Sequence, residues 1–217
     1  MTEKYKNKYR ISSARLNGWD YGWVAAYFVT LCTKKQEHYF GRVVRDEMQL
    51  SLIGRIVYAE WMKTPTIRPD MNLELGEFVV MPNHFHAVIF IGDNEFNRHP
   101  DHSTTIPAKE CTDAMHCVSI SAKELRDAKH CVCTWQKNSV ETEFKNLFAA
   151  QSKNLASIIR GFKALVTINA RRLTSDFGWQ ARFHDHIIRN EKSFAKILEY
   201  IKYNPLTWEK DKFNKMG

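Results

Sequence analysis

Two histidines one residue apart, His84 and His86, open an almost wholly apolar run, "HFHAVIFIG", directly after "MPN". On a strand, side chains alternate, so both imidazoles share one face with Phe85 opposite, about 7 Å apart along the chain. Leaning together, they can hold a single metal ion. A bare pair of this kind also describes two surface histidines near a turn. Yet imidazole buried beside Val88 and Phe90 costs free energy unless its nitrogens find partners, and a cation would be one. Far downstream, Tyr200 and Asn204 stand four residues apart in "EYIKYNP". On a helix that spacing stacks them on one side. Phe194, Ile197, Leu198 and Ile201 make the core stripe of that helix, with Tyr200 and Asn204 on its shoulder and Tyr203 nearly opposite. Geometry therefore prefers Tyr200 over Tyr203 for chemistry. The bland alternative is an interfacial aromatic and a helix C-cap before proline.

Several elements must position these residues. "AYFVTLCT" (26–33) predicts a strand and "MQLSLIGRIVYAEWMKT" (48–64) a helix. "LELGEFVVMP" (73–82) and "HFHAVIFIG" (84–92) predict two more strands. "NLASIIRGFKALVTINARRL" (154–173) is helical, with Leu155, Ile158, Ile159, Phe162, Leu165 and Val166 on one face. "GWQARFHDHIIR" (178–189) predicts a strand, and "EKSFAKILEYIKYN" (191–204) a helix stopped by Pro205. The order β-α-β-β-α-β plus a final helix is the ferredoxin-like pattern. That makes the chain α+β, an antiparallel sheet with helices on one face and an additional C-terminal helix.

Residues 1–22 read as an N-terminal arm, and 23–217 as one domain interrupted by an insertion at 93–150. The insertion is polar and without sustained period, as in a disordered loop. It carries a near-repeat, "DAMHCV" at 113–118 and "DAKHCV" at 127–132. His116, Cys117, His130 and Cys131 have the residue types of a zinc site, but the spacing fits no standard finger.

Of 217 residues, 32 are Lys or Arg and 24 Asp or Glu, a formal charge of +8 that favours an anionic partner, nucleic acid before membrane. The N-terminus is polar and the longest apolar run, Val24–Cys32, is too short to span a bilayer. Five cysteines without a scaffold pattern suit a reducing compartment. The expected location is cytoplasmic.

Taken together and in this order, "EFVVMPNHFHAVIFI", "NLASIIRGFK", "WQARFHDHIIR" and "YIKYNP" resemble the single-tyrosine HUH transposases, especially the REP-associated tyrosine transposase branch. The resemblance spans roughly 25–92 and 152–206. It implies that His84, His86 and Asn204 bind Mg²⁺ or Mn²⁺ and that Tyr200 is the nucleophile. Tyr200 would cut single-stranded DNA at a hairpin, leaving a 5′-phosphotyrosine and a free 3′-OH. Relatives work as monomers or as dimers, and either suits this chain. The alternatives are a hairpin-binding protein that no longer cleaves, and a His-metal hydrolase unrelated to DNA. The second lacks an acidic general base beside the histidines.

A DNA-binding surface is sought in Arg160, Lys163, Thr167 and Arg171, a polar stripe on the 154–173 helix. Arg182, His184, His186 and Arg189 alternate along the following strand, and Lys196 and Lys202 flank the tyrosine helix. The aromatic stretch "NGWDYGW" (17–23) either stacks on unpaired bases or packs on the fold.

Overall fold

Strand β1 (Ala25–Cys32) is the centre from which the architecture grows. Its alternation sends Tyr27, Val29 and Leu31 to one face and Phe28 and Thr30 to the other, and its β-branched and aromatic residues fit a pleated surface. The computed structural model describes residues 16, 19–97 and 152–214. In chain order there follow β2 (Gly41–Val44), β3 (Glu47–Leu50), α1 (Leu52–Ile67), β4 (Leu73–Val80), β5 (His84–Ile91), α2 (Leu155–Ala170), β6 (His184–Ile188) and α3 (Glu191–Tyr203). A 3₁₀ segment, Pro205–Lys210, closes the described chain.

The main sheet has the order β4-β5-β1-β6, every pairing antiparallel, and β2 and β3 form a separate hairpin. With α1 between β1 and β4, and α2 between β5 and β6, this is the ferredoxin-like topology expected from the sequence. Helices α1 and α2 cover one face. Val57 and Trp61 of α1 meet Ile158, Phe162 and Val166 of α2 above Val29, Leu31, Phe85, Ala87 and Ile89. The Trp61 ring lies 5.1 Å from both Phe85 and Phe162. Helix α3 covers the opposite face, setting Phe194 and Ile201 on Phe28, Val88, Phe90 and Ile188. Strand β5 is thus covered on both sides, which explains why its apolar residues run without alternation. Each such large side chain contributes about 1.5–3 kcal/mol by leaving water.

Three boundaries differ from the sequence reading. The helix expected from 48 begins at Leu52, because Met48 and Leu50 belong to β3, where Leu50 pairs with Gly41. Met48, four residues before Leu52, satisfied a helical period by coincidence. The true start is set by Ser51, whose hydroxyl accepts from the Gly54 amide at 3.0 Å, and Gly54 is required because a Cβ there would run into the Phe40 carbonyl. The strand expected over 178–189 is ordered as strand only at 184–188. Residues before it are held otherwise: Trp179 packs among Phe40, Phe162 and Phe177, and Arg182 has φ +68. Arg182 and Arg189 therefore lie outside the strand on which alternation placed them. The hairpin β2–β3 was not anticipated.

The aromatic stretch before β1 packs on the fold. Tyr21 stacks on Tyr27 at 5.8 Å, and the Trp19 indole donates to the Tyr27 hydroxyl at 3.2 Å. The Tyr21 carbonyl also accepts the Leu155 amide at the start of α2. The His/Cys repeat of the insertion lies outside the described residues.

Candidate active site

His84 and His86 project from the start of β5 onto the face that α3 covers, their ring centroids 4.5 Å apart. Both are buried, at 0% and 2% exposure. Opposite His86 in the register is Thr30 of β1, and its hydroxyl lies 2.8 Å from His86 Nδ1. His84 Nδ1 lies 2.9 Å from Asn83 Oδ1. Each imidazole is therefore held at its Nδ1 end and turns Nε2 toward α3.

Helix α3 starts at Asn190, whose side chain accepts the Ser193 amide at 2.7 Å, and its apolar stripe seats it on the sheet. That seating brings the Tyr200 hydroxyl to 3.1 Å from His86 Nε2. Asn204, the C-cap of the helix, is fully buried beside His84 and Tyr200. Tyr200 and Tyr203 are about equally exposed, at 38% and 41%, and differ in what they face: the Tyr200 hydroxyl faces His86, whereas Lys202 lies over the Tyr203 ring at 5.4 Å.

Three polar atoms in this cluster are buried without a hydrogen-bond partner: His84 Nε2, and both Nδ2 and Oδ1 of Asn204. Orphaned buried polar atoms are rare, and several side by side mark a place built for something else. Among the described residues no three His, Cys, Asp or Glu side chains gather into a metal-binding group. A cation held by both imidazoles would take its third protein ligand from an amide, and the unpartnered Asn204 oxygen is the one at hand. Two nitrogens and an amide oxygen, all neutral, with positions left open, fit a divalent cation of the Mn²⁺ type well and Mg²⁺ acceptably.

The electrostatics agree. Burial pushes His84 down to about 3, the Asn204 amide pulling the other way. Burial, then the neighbouring His84, Lys212 and His184, holds His86 well below the ordinary histidine range. Both imidazoles are neutral near pH 7, the form that offers a lone pair. Burial and then Asp211 raise the Tyr200 phenol above its ordinary value.

Thr30, Asn83, Trp208 and Phe213 were missed from the sequence. The Phe213 ring lies 4.6 Å from His84 and the Trp208 ring 5.9 Å. Thr30 had a readable signal, being the polar residue of an otherwise apolar strand core. Asn83 had adjacency to His84, and the two aromatics had none. His184 and His186 stand opposite Thr30 and Phe28 in the register, which sets them on the same face as His86.

The basic candidates spread more widely. Arg160 is exposed on α2. Lys163 is half-buried, its ammonium donating to the carbonyls of Gln180 at 2.8 Å and Arg182 at 3.2 Å. It is a tie between helix and loop rather than part of an open stripe. Arg171 caps α2 and donates from Nε to the Phe177 carbonyl at 3.0 Å. Lys163 and Arg171 line an open groove of about 650 Å³ with Lys34 and Trp179. Arg182, Arg189 and Lys196 are exposed around β6 and α3.

No protein-family model matches the chain. An uncharacterized protein of Haemophilus influenzae is 32% identical over 213 residues, covering 97% of each chain, and the two belong to one family. A solved structure of a REP-associated tyrosine transposase bound to a REP hairpin aligns with TM-score 0.50 and 16% identity, over 93% of this chain and 77% of that one. The chain has the REP-associated tyrosine transposase fold. In this chain α3 lies against its own histidine strand β5. No helix of the described residues is long and apolar enough to cross a membrane.

Proposed function

We propose that the chain is a divalent-cation-dependent endonuclease and strand transferase for single-stranded, hairpin-bearing DNA, with Tyr200 as nucleophile. The observation that carries this reading is the approach of the Tyr200 hydroxyl to His86, 3.1 Å, beside the unpartnered His84 Nε2 and Asn204 amide. The transposase fold and the REP hairpin bound by its solved neighbour support the substrate class.

His84 Nε2, His86 Nε2 and the Asn204 amide oxygen would hold Mg²⁺ or Mn²⁺. When bound, the cation neutralises charge on the scissile phosphate and stabilises the departing oxygen. The chain's own residues do the rest. Tyr200 presents its oxygen from a helix anchored by Phe194 and Ile201, so its approach direction is set before DNA arrives. His86 Nε2 lies at hydrogen-bond distance, 3.1 Å, from the Tyr200 hydroxyl and holds the phenolic oxygen at the histidine pair in the resting site. In the reaction the phenolic oxygen bonds to phosphorus and the bond from phosphorus to the 3′-oxygen breaks. The phenolic proton departs to solvent, and the 3′-oxygen takes one up. A 5′-phosphotyrosine remains, and a new 3′-OH attacking it reverses the step without ATP. Arg182, Arg189 and Lys196, with Arg160 farther off on α2, would meet the phosphate backbone, making binding fall steeply with salt.

The test is covalent capture. Incubated with Mn²⁺ and a hairpin-bearing single strand, the wild type yields an adduct that survives denaturation. Tyr200→Phe yields none yet still binds, and Tyr203→Phe behaves as wild type. An adduct persisting in Tyr200→Phe overturns the nucleophile. Hairpin binding with no adduct in the wild type leaves a binding protein in place of a nuclease.

A further inference from the structure

Neighbouring hydrogen bonds decide which nitrogen of a histidine offers its lone pair, and for His84 that decision traces to Asn83. Asn83 is 1% exposed. Its backbone is pinned, the carbonyl accepting the Thr33 amide at 2.9 Å and the Thr33 hydroxyl at 3.0 Å. Its side-chain amine donates to two carbonyls, Gln36 O at 3.0 Å and Phe213 O at 2.8 Å. Both are acceptors only, so the carboxamide cannot be turned over without setting oxygen against oxygen. Oδ1 is therefore the atom that faces His84 Nδ1 at 2.9 Å. An amide oxygen has no proton to give. The proton in that bond belongs to Nδ1, and Nε2 is left bare. Nε2 is the buried ring atom with no partner.

We infer that Asn83 is a positioning residue, fixing His84 as the Nδ1-protonated tautomer and aiming the Nε2 lone pair at the cation site. The inference rests on the cation reading proposed above. Asn83 acts differently from Thr30 at the other imidazole. A hydroxyl both donates and accepts, so Thr30 orients His86 without dictating where its proton sits. Asn83 acts in one direction only. Partners of this kind typically set metal affinity by about 10–100-fold.

The experiment uses the full chain stripped with a chelator, titrated with MnCl₂ by calorimetry, with the His84 ring nitrogens followed by ¹⁵N NMR in the metal-free protein. The wild type should show Nδ1 protonated and Nε2 bare. Asn83→Leu should weaken Mn²⁺ binding at least about tenfold and release the tautomer, with the fold retained. Asn83→Asp should recover most of the affinity, because a carboxylate accepts the same proton. A purely structural role predicts the reverse for Asp, which loses both donors to Gln36 and Phe213 and should then be as weak as Leu. The inference is overturned if wild-type His84 carries its proton on Nε2, if Asn83→Leu binds Mn²⁺ as wild type does, or if Asp fails to recover. His84→Ala separates the two readings. If it binds Mn²⁺ like the wild type, the cation site has failed, and the tautomer in the metal-free protein still judges Asn83.

Discussion

The Tyr200 phenol and the two imidazoles meet in a place where charge is expensive. His84 is depressed to about 3 and His86 well below its ordinary value, both first by burial. The exposed-side His186 is shifted the same way. These shifts have a stability consequence with a definite sign. Between the depressed value and the ordinary 6.5, the unfolded chain binds protons that the folded chain refuses, so stability rises with pH in that window. The contribution is whole above about pH 6.5 and is lost progressively as pH falls toward 3. Chelator-treated protein should therefore melt at a lower temperature at pH 5 than at pH 7. His84→Leu, which has no proton to gain, should show a shallower dependence in the same scans. An unchanged slope would remove His84 from the account.

Among the elements, the β2–β3 hairpin carries visible strain. Its two turn residues, Arg45 and Asp46, have φ of +52 and +63. A two-residue turn of this hand favours Asn-Gly, because left-handed backbone costs ordinary residues about 1–2 kcal/mol each. R45N/D46G removes most of that strain, offset by about 0.5–1 kcal/mol for the entropy glycine loses. A net gain of about 1 kcal/mol should raise the melting temperature by about 2–4 °C for a chain of this size. A drop instead would mean that Arg45 or Asp46 makes a compensating interaction. Helix α3 shows the opposite economy: cap, apolar stripe and functional shoulder agree along one element. That agreement is why Tyr200 and Tyr203, three residues apart, end in such different surroundings.

At the scale of the molecule, the sheet divides labour between its faces. Helices α1 and α2 build the large core on one side, which frees the other for α3 and the histidines. The interruption after β5 is closed at its base. Asn97 donates to the carbonyls of Gly22 and Gly92, Lys153 reaches Asp70, and the Lys153 ammonium lies 4.0 Å from the Phe96 ring centre. The two flanks of the interruption thus meet at one point, tied to the fold by their own contacts. Replacing 99–150 with a short Gly-Ser linker should leave thermal unfolding and Mn²⁺ titration as in the full chain. A large fall in either would show that the segment supports the core or the site.

Periodicity and punctuation alone determined a good deal. The β-α-β-β-α-β order, the shared face of His84 and His86, and the Tyr200–Asn204 stack follow from local rules, since strand and helix periods depend on the backbone and not on partners. The hairpin defeated them, because Met48 fits a helical period with Leu52 and a strand period with Leu50, and only pairing with Val43 and Gly41 chooses between them. The strand assigned around Arg182 failed for a related reason, as Phe162 and Lys163 of α2 hold that segment at Trp179 and at the Arg182 carbonyl. What tertiary structure decided was convergence. Tyr200 lies 114 residues from His86, and nothing local says that its oxygen will stop at hydrogen-bond distance. Nor could the sequence say which nitrogen of His84 stays bare, because the carbonyl of Phe213, 130 residues from Asn83, helps to hold the amide that decides it.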